Sequence, residues 1–163
     1  MIKKSTKVES VWAVICSTSI TDQDTNSVSL INVLERILVN ESVFKDKPVT
    51  ISFPVEIVSL WRRLDDPSSG SIEIAARYEI IDPKERVINT QNFTLKFESN
   101  KERLRHRLIF GGLKLSEPGL YYFKISIDRG DVEVKIPLRI TSTKGVPQDN
   151  KPNPSAGGGR EIS

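Results

Sequence analysis

Arg103, Arg105 and Arg107 recur at every second position of one run, separated by Leu104 and His106. Alternate residues of a strand project to the same face about 6.6 Å apart, close to the spacing of successive phosphates on an extended nucleic-acid strand. The chemistry implied is electrostatic binding of a single-stranded nucleic acid or another polyanion, with Lys101 adding a further charge. No aromatic residue alternates with the arginines, so the run offers no base-stacking platform. The competing reading is an exposed sheet face whose arginines pair across strands with Glu73, Glu79 or Glu98.

Other reactive residue types are scarce. His106 is the only histidine, so a nucleophile–base pair would have to use it. It shares a face with Leu104 and Leu108, which points it at the core. Cys16 is the only cysteine and lies in an apolar run without a basic neighbour, the setting of an inert core thiol. Asp22-Gln23-Asp24-Thr25-Asn26 begins like a calcium loop, but Ser27 stands where the sharp turn needs Gly and Val33 where the bidentate Glu belongs. It reads as a polar hairpin loop. Arg129-Gly130-Asp131 spells an adhesion tripeptide, for which a Gly-containing turn is the simpler account. Trp12, Trp61 or Tyr122 could form a platform for a small ligand or carbohydrate, Trp61 being the best candidate for an exposed ring, but core packing is the leading reading. These residues imply no catalytic set, no metal site and no cofactor.

Charge narrows the field further. The chain of 163 residues carries 24 Lys and Arg against 21 Asp and Glu, a net charge of +3. Three of the basic residues lie in 1–7 and three in 144–163 against two acidic ones, leaving 18 basic and 19 acidic residues in 8–143. The part able to fold is therefore near neutral and projects no broad positive field. A lone cysteine forms no intrachain disulfide, which suits a reducing compartment. The first apolar run extends only from Val11 to Cys16, too short for a secretion signal, and no stretch approaches the ~18 apolar residues of a membrane helix. The expectation is a soluble, cytoplasmic protein.

Positioning of these residues falls to strands. Residues 1–8 read as a flexible lead-in, 9–142 as one β-sandwich domain and 143–163 as a disordered Gly/Pro-rich tail. About eight strands are expected. Val11 to Ser17 is continuously apolar and suits a central strand. Val28 to Leu34 could continue to Val39 past a kink at Glu35 and Arg36. Val49 to Trp61 is broken at Pro54, which cannot donate to a ladder. Ile72, Ile74, Ala76, Tyr78 and Ile80 share one face; Phe93, Leu95 and Phe97 alternate with polar residues; Leu104 to Phe110 follows. Tyr121 to Ile127 and Val132 to Ile140 form a hairpin. A helix over Val33 to Val39 lacks caps and length.

The order of these pieces resembles a family of small, uncharacterised prokaryotic proteins built as one Ig-like β-sandwich, a domain of unknown function. The resemblance rests on Ala13-Val14-Ile15-Cys16, the polar loop before Ser29-Leu30-Ile31, Ile80-Ile81-Asp82-Pro83 before Val87, and Glu117-Pro118-Gly119-Leu120-Tyr121 with the closing hairpin. Lys84-Glu85 departs from it where such turns often carry Gly. The resemblance implies an all-β, two-sheet antiparallel sandwich and transfers no catalytic residue. The expected function is a non-enzymatic protein-interaction module that uses sheet edges or end loops, with polyanion binding through Arg103, Arg105 and Arg107 as the alternative. The partner and the oligomeric state are left open.

Overall fold

Strands form where apolar and polar residues alternate, and they change sheet where Pro or a polar pair interrupts the alternation. The structure is a computed structural model that describes residues 7–45, 48–52, 54–127 and 130–144. It is all-β, with eleven strands among the described residues: β1 (Val8–Thr21), β2 (Val28–Val33), β3 (Arg36–Asn40), β4 (Val49–Ile51), β5 (Val55–Arg63), β6 (Ile72–Ile81), β7 (Val87–Phe97), β8 (Arg103–Phe110), β9 (Leu113–Leu115), β10 (Gly119–Ile127) and β11 (Val132–Thr143). Single 3₁₀ turns occupy Glu41–Phe44 and Pro67–Ser69. No helix of the described residues is long and apolar enough to cross a membrane.

Sheet I has the order β2-β1-β5-β8, sheet II the order β3-β11-β10-β6-β7, and sheet III pairs β4 with β9. Three points correct the sequence expectation of about eight strands in two antiparallel sheets. The count among the described residues is eleven, because the run from Val28 to Val39 divides into β2 and β3, the run from Val49 to Trp61 divides into β4 and β5, and the three-residue β9 carries too little alternation to be read. The short strands β4 and β9 form a sheet of their own. The ladder between β11 and β3 is parallel. At Leu34 and Glu35 the chain leaves sheet I for sheet II, held by the Leu34 N–H on the Ile15 carbonyl at 2.8 Å and the Arg139 N–H on the Glu35 carbonyl at 3.0 Å. Those residues form a crossover rather than a helix. Pro54 likewise separates β4 from β5, which lie in different sheets.

All three sheets feed one buried cluster. Sheet I supplies Val8, Ile15, Val55, Ile57, Trp61 and Phe110; sheet II supplies the inward sets of β6, β10 and β11; sheet III adds Leu113 and Leu115. The Phe110 ring lies 5.0 Å from Tyr78 and 6.1 Å from Phe123, edge to face in both cases, which ties β8 of sheet I to β6 and β10 of sheet II. The central placement expected for the first strand holds: β1 lies between β2 and β5, and its neighbours Ile15 and Cys16 are both buried. Val8, expected in the lead-in, is the buried first residue of β1, and Thr143, expected in the tail, is the last of β11. Residues 1–6 and 145–163 lie outside the described residues.

One turn is locked by a side chain. Tyr121, buried near the start of β10, donates its hydroxyl to the Glu117 carbonyl at 2.8 Å and accepts the N–H groups of Ser116 and Glu117 at 3.2 and 3.3 Å. Gly119 in this turn has φ +150°, and a Cβ there would sit 2.5 Å from Cγ of Pro83, so only glycine fits.

Candidate functional site

The arginine run occupies β8, an edge strand of sheet I that pairs, among the described residues, with β5 alone. Arg103 stands opposite Arg62, Arg105 opposite Leu60 and Arg107 opposite Val58. The acids expected as partners lie elsewhere: Glu73 and Glu79 are on β6 of sheet II, paired with Lys96 and Lys124. The arginines instead meet the β1–β2 hairpin. Beyond Cys16, which still pairs with Glu56, β1 leaves its ladder with β5, and this arm pairs, among the described residues, with β2 alone as far as Thr21. Arg105 donates to the Asn26 carbonyl at 2.9 Å, and Arg107 donates to the Ser19 carbonyl at 3.5 Å and stands 4.0 Å from Glu56. Glu56, buried, accepts the Ser19 N–H at 2.9 Å and its hydroxyl at 2.6 Å. Two of the three arginines thus fasten the arm. Arg103 faces a like charge and makes no ion pair among the described residues; Arg62 pairs with Glu9.

His106 points inward as its alternation implied, and stacks on Phe93 of β7 with ring centroids 4.6 Å apart. Burial pushes its imidazole below the ordinary value of 6.5. Cys16 is fully buried; burial, aided by the Glu56 carboxylate, pushes its thiol up and keeps it protonated. Trp61 packs in the core, as the leading reading has it: it is 0% exposed and donates its indole N–H to the Ser59 hydroxyl at 2.9 Å, so it is no platform. Trp12 and Tyr122 are half-buried. Asp22 caps its own loop, accepting the N–H groups of Asp24 and Thr25 at 2.9 and 2.8 Å, as a polar hairpin loop requires. Among the described residues no cluster of His, Cys, Asp or Glu could hold a metal ion. Arg129 of the adhesion-like tripeptide lies outside the described residues.

Besides Glu56, two further charges are buried, Arg63 and Asp82, and both organise turns. Arg63, at the end of β5, has a side chain with no exposed surface. Its guanidinium donates to Asp65 at 2.7 Å, to the Gly70 carbonyl at 2.8 Å, and to the Asp66 carbonyl and the Ser69 hydroxyl at 3.2 Å each, clamping the β5–β6 loop. The Arg63 bond holds Asp65 below the usual carboxylate value. Asp82 accepts the N–H groups of Lys84 and Arg86 at 2.9 and 2.8 Å and pairs with the Arg86 guanidinium at 2.6 Å. Desolvation is the largest single influence on its carboxyl and raises it, but the bonds from Arg86 and the Lys84 N–H, with the Arg86 charge, together carry the net shift downward. Glu85 in this turn has φ +61°, the left-handed region where Gly was expected from the resemblance. The sequence signal for Arg63 was its place at a strand end before Asp65-Asp66 and a Ser-Ser-Gly turn.

The sheet edges differ in how they are protected. An edge strand presents unpaired N–H and C=O groups to any chain that can lie alongside, and native edges are usually blunted by charge, kinks or shortness. Edge β8 carries three arginines. Edge β2 has six residues and is kinked by Asn32, at φ +50°. Edge β3 has five residues. Edge β7 has eleven, the longest of the four, and among the described residues pairs with β6 only. A bulge at Ile80/Ile81 disturbs its start, after which Asn89 to Phe97 pairs in one unbroken register. That stretch, Asn89-Thr90-Gln91-Asn92-Phe93-Thr94-Leu95-Lys96-Phe97, has Lys96 as its one charge. Val87 to Asn92 is exposed, Val87 at 53%. Beside it on the outer face of sheet II, Ala75 and Ser126 leave a shallow depression of about 570 Å³ floored by Lys124. Lys124 lies 2.7 Å from Glu79 and 3.5 Å from Glu133, so its charge is matched.

Compared with models of known protein families and with curated proteins, the chain matches none.

Proposed function

We propose that this chain is a non-catalytic protein-interaction module, an Ig-like β-sandwich that receives its partner along the free edge of sheet II. The observation that carries this reading is the length, exposure and near absence of charge of β7. Strand addition at such an edge draws affinity from main-chain hydrogen bonds and specificity from alternate side chains. Strand order supports the Ig-like description. That pattern places A, B and E in one sheet and C, F and G in the other, with an optional C′ beside C. Taken as A, B and E, strands β1, β5 and β8 are neighbours in sheet I; taken as C′, C, F and G, strands β7, β6, β10 and β11 are neighbours in sheet II. The Tyr121 bond to Glu117 has the form of the tyrosine corner near the start of F. The use of His106 in a stack and of Cys16 in the core supports the absence of catalysis, and a lone buried thiol suits a cytoplasmic setting.

A second reading, polyanion binding on β8, is favoured by the unpaired Arg103 beside Arg62 and weakened by the work Arg105 and Arg107 do on the β1–β2 arm. The experiment is a tagged pull-down from lysate of the source organism, with and without nuclease, using the native chain and the edge variant Asn92→Glu/Thr94→Glu. A protein retained after nuclease and lost with the variant supports the edge module. Recovery that nuclease abolishes, and that Arg103→Ser/Arg105→Ser/Arg107→Ser weakens together with a reduced salt dependence, replaces it with polyanion binding.

A further inference from the structure

We propose that the occupant of the β7 edge is a second copy of this chain, paired antiparallel across a two-fold axis so that two five-stranded sheets join into one. The inference rests on the edge reading above and names its partner. A two-fold contact requires a surface complementary to itself, and an antiparallel pair of identical edge strands meets that condition by construction. Facing residues in such a pair must lie on the same face of the joined sheet, which restricts the axis to a residue rather than a gap between residues.

Charge and regularity select among the registers. An axis at Gln91 places Lys96 opposite Arg86 of the second copy, which precedes β7 beyond the bulge and is turned to its own Asp82, so the pairing runs off the regular strand. An axis at Asn92 places Lys96 opposite Ile88, inside the bulged start of the strand. An axis at Phe93 pairs the whole regular stretch Asn89–Phe97 with itself and sets Lys96 against Thr90, where no like charge meets it. In this register the two Phe93 rings, each half-buried and stacked on its own His106, meet at the axis. Asn92 meets Thr94, and Gln91 meets Leu95. Phe93 gains the cover it lacks in one chain, and aromatic pairs directly opposite each other are among the more favourable cross-strand contacts. The neutrality of the stretch also fits a copy of itself better than a charged peptide, which would find no opposite charge between Asn89 and Leu95.

The test is sedimentation equilibrium of the full chain between about 1 and 200 µM, with substitutions at two exposed outer-face positions. The native chain should sediment at twice the 18.3 kDa of one chain. Asn92→Glu/Thr94→Glu sets Glu against Glu in both symmetry-related pairs and should raise the dissociation constant by roughly tenfold or more. Asn92→Glu/Thr94→Lys sets Glu against Lys at the same positions and should restore or tighten the dimer. Within its own sheet Asn92 lies opposite Arg77, a partner that a carboxylate at this position can also use, so both variants should fold, which circular dichroism checks. A native chain that stays monomeric at 200 µM overturns the proposal, as does a dimer that both variants disrupt equally or that neither affects. If the chain is monomeric yet its captured partner is still lost with Asn92→Glu/Thr94→Glu, the edge module stands and only the second copy is refuted.

Discussion

Replacing Tyr121 with Phe removes one oxygen atom from a buried residue and leaves the ring, and therefore the core volume, unchanged. The hydroxyl makes three hydrogen bonds, a short one to the Glu117 carbonyl at 2.8 Å and two longer ones from Ser116 and Glu117 N–H groups at 3.2 and 3.3 Å. A typical net contribution is about 1 kcal/mol for a well-formed bond, and a buried group left unpaired costs about 1–3 kcal/mol. Counting the short bond in full and the long ones at half gives about 2 kcal/mol, rising to about 3 kcal/mol if the freed N–H groups find no water. For a domain of this size each kcal/mol lowers the melting temperature by about 2–4 °C, so a fall of about 5–10 °C is expected. Equilibrium urea denaturation should show a lower midpoint with an unchanged slope. Tyr122→Phe is the control, because the half-buried Tyr122 hydroxyl makes no side-chain hydrogen bond among the described residues; it should cost under about 0.5 kcal/mol. If Tyr121→Phe is as mild as Tyr122→Phe, the turn is not held by this hydroxyl, and the tyrosine-corner support for the Ig-like reading falls with it.

Arg63→Met keeps an apolar stem but deletes a guanidinium that satisfies Asp65, Ser69 and two carbonyls, so it should cost about 3–5 kcal/mol in denaturant titration; a change under about 1 kcal/mol would show the β5–β6 loop to be self-supporting. Gly119→Ala forces a Cβ to within 2.5 Å of Pro83 at φ +150° and should lose about 2–4 kcal/mol, whereas Gly70→Ala, with nothing within 4 Å of its Cβ, pays only for its φ of +110° and should lose less. Because burial lowers the His106 imidazole in the fold, the unfolded chain binds more protons below pH 6.5, so stability should be full above that value and decline as pH falls from 6.5 toward 5. The Asp groups whose values are lowered titrate below 3.8 and do not confuse that window. His106→Phe should preserve the stack on Phe93 and flatten the decline, and an unchanged slope in thermal melts at pH 5, 6 and 7 would remove His106 as its source.

Where alternation ran for six residues or more, the strand was legible, because burying one face of a strand requires a period of two. That held for the inward sets of β6, β8, β10 and β11, and for His106 turning toward the core. It failed at β9, whose three residues carry too little pattern, and it could not tell that β3 and β4, read as parts of longer runs, belong to other sheets than β2 and β5. For β7 the alternation was read only from Phe93, since Val87 to Asn92 is exposed and its polar side chains carry no inside–outside signal. The strand that matters most for the proposed site was therefore half hidden for the same reason that makes it accessible.

What the amino-acid order determined by itself is local: an all-β chain, its turns at Asp22, Asp82 and Glu117, a buried Cys16 and an inward His106. Partners were decided in three dimensions. Arg103, Arg105 and Arg107 were correctly expected on one strand, but β8 pairs with β5 rather than with β6 or β7, so Arg105 and Arg107 meet Asn26 and Ser19 instead of Glu73 and Glu79. Arg63 lost all exposure because the loop folded around it, and β7 became an edge because no later strand was placed beside it. The periodicity of a strand is written in its own residues, whereas its neighbours depend on pairings between segments tens of residues apart, and those are fixed only when the whole core closes.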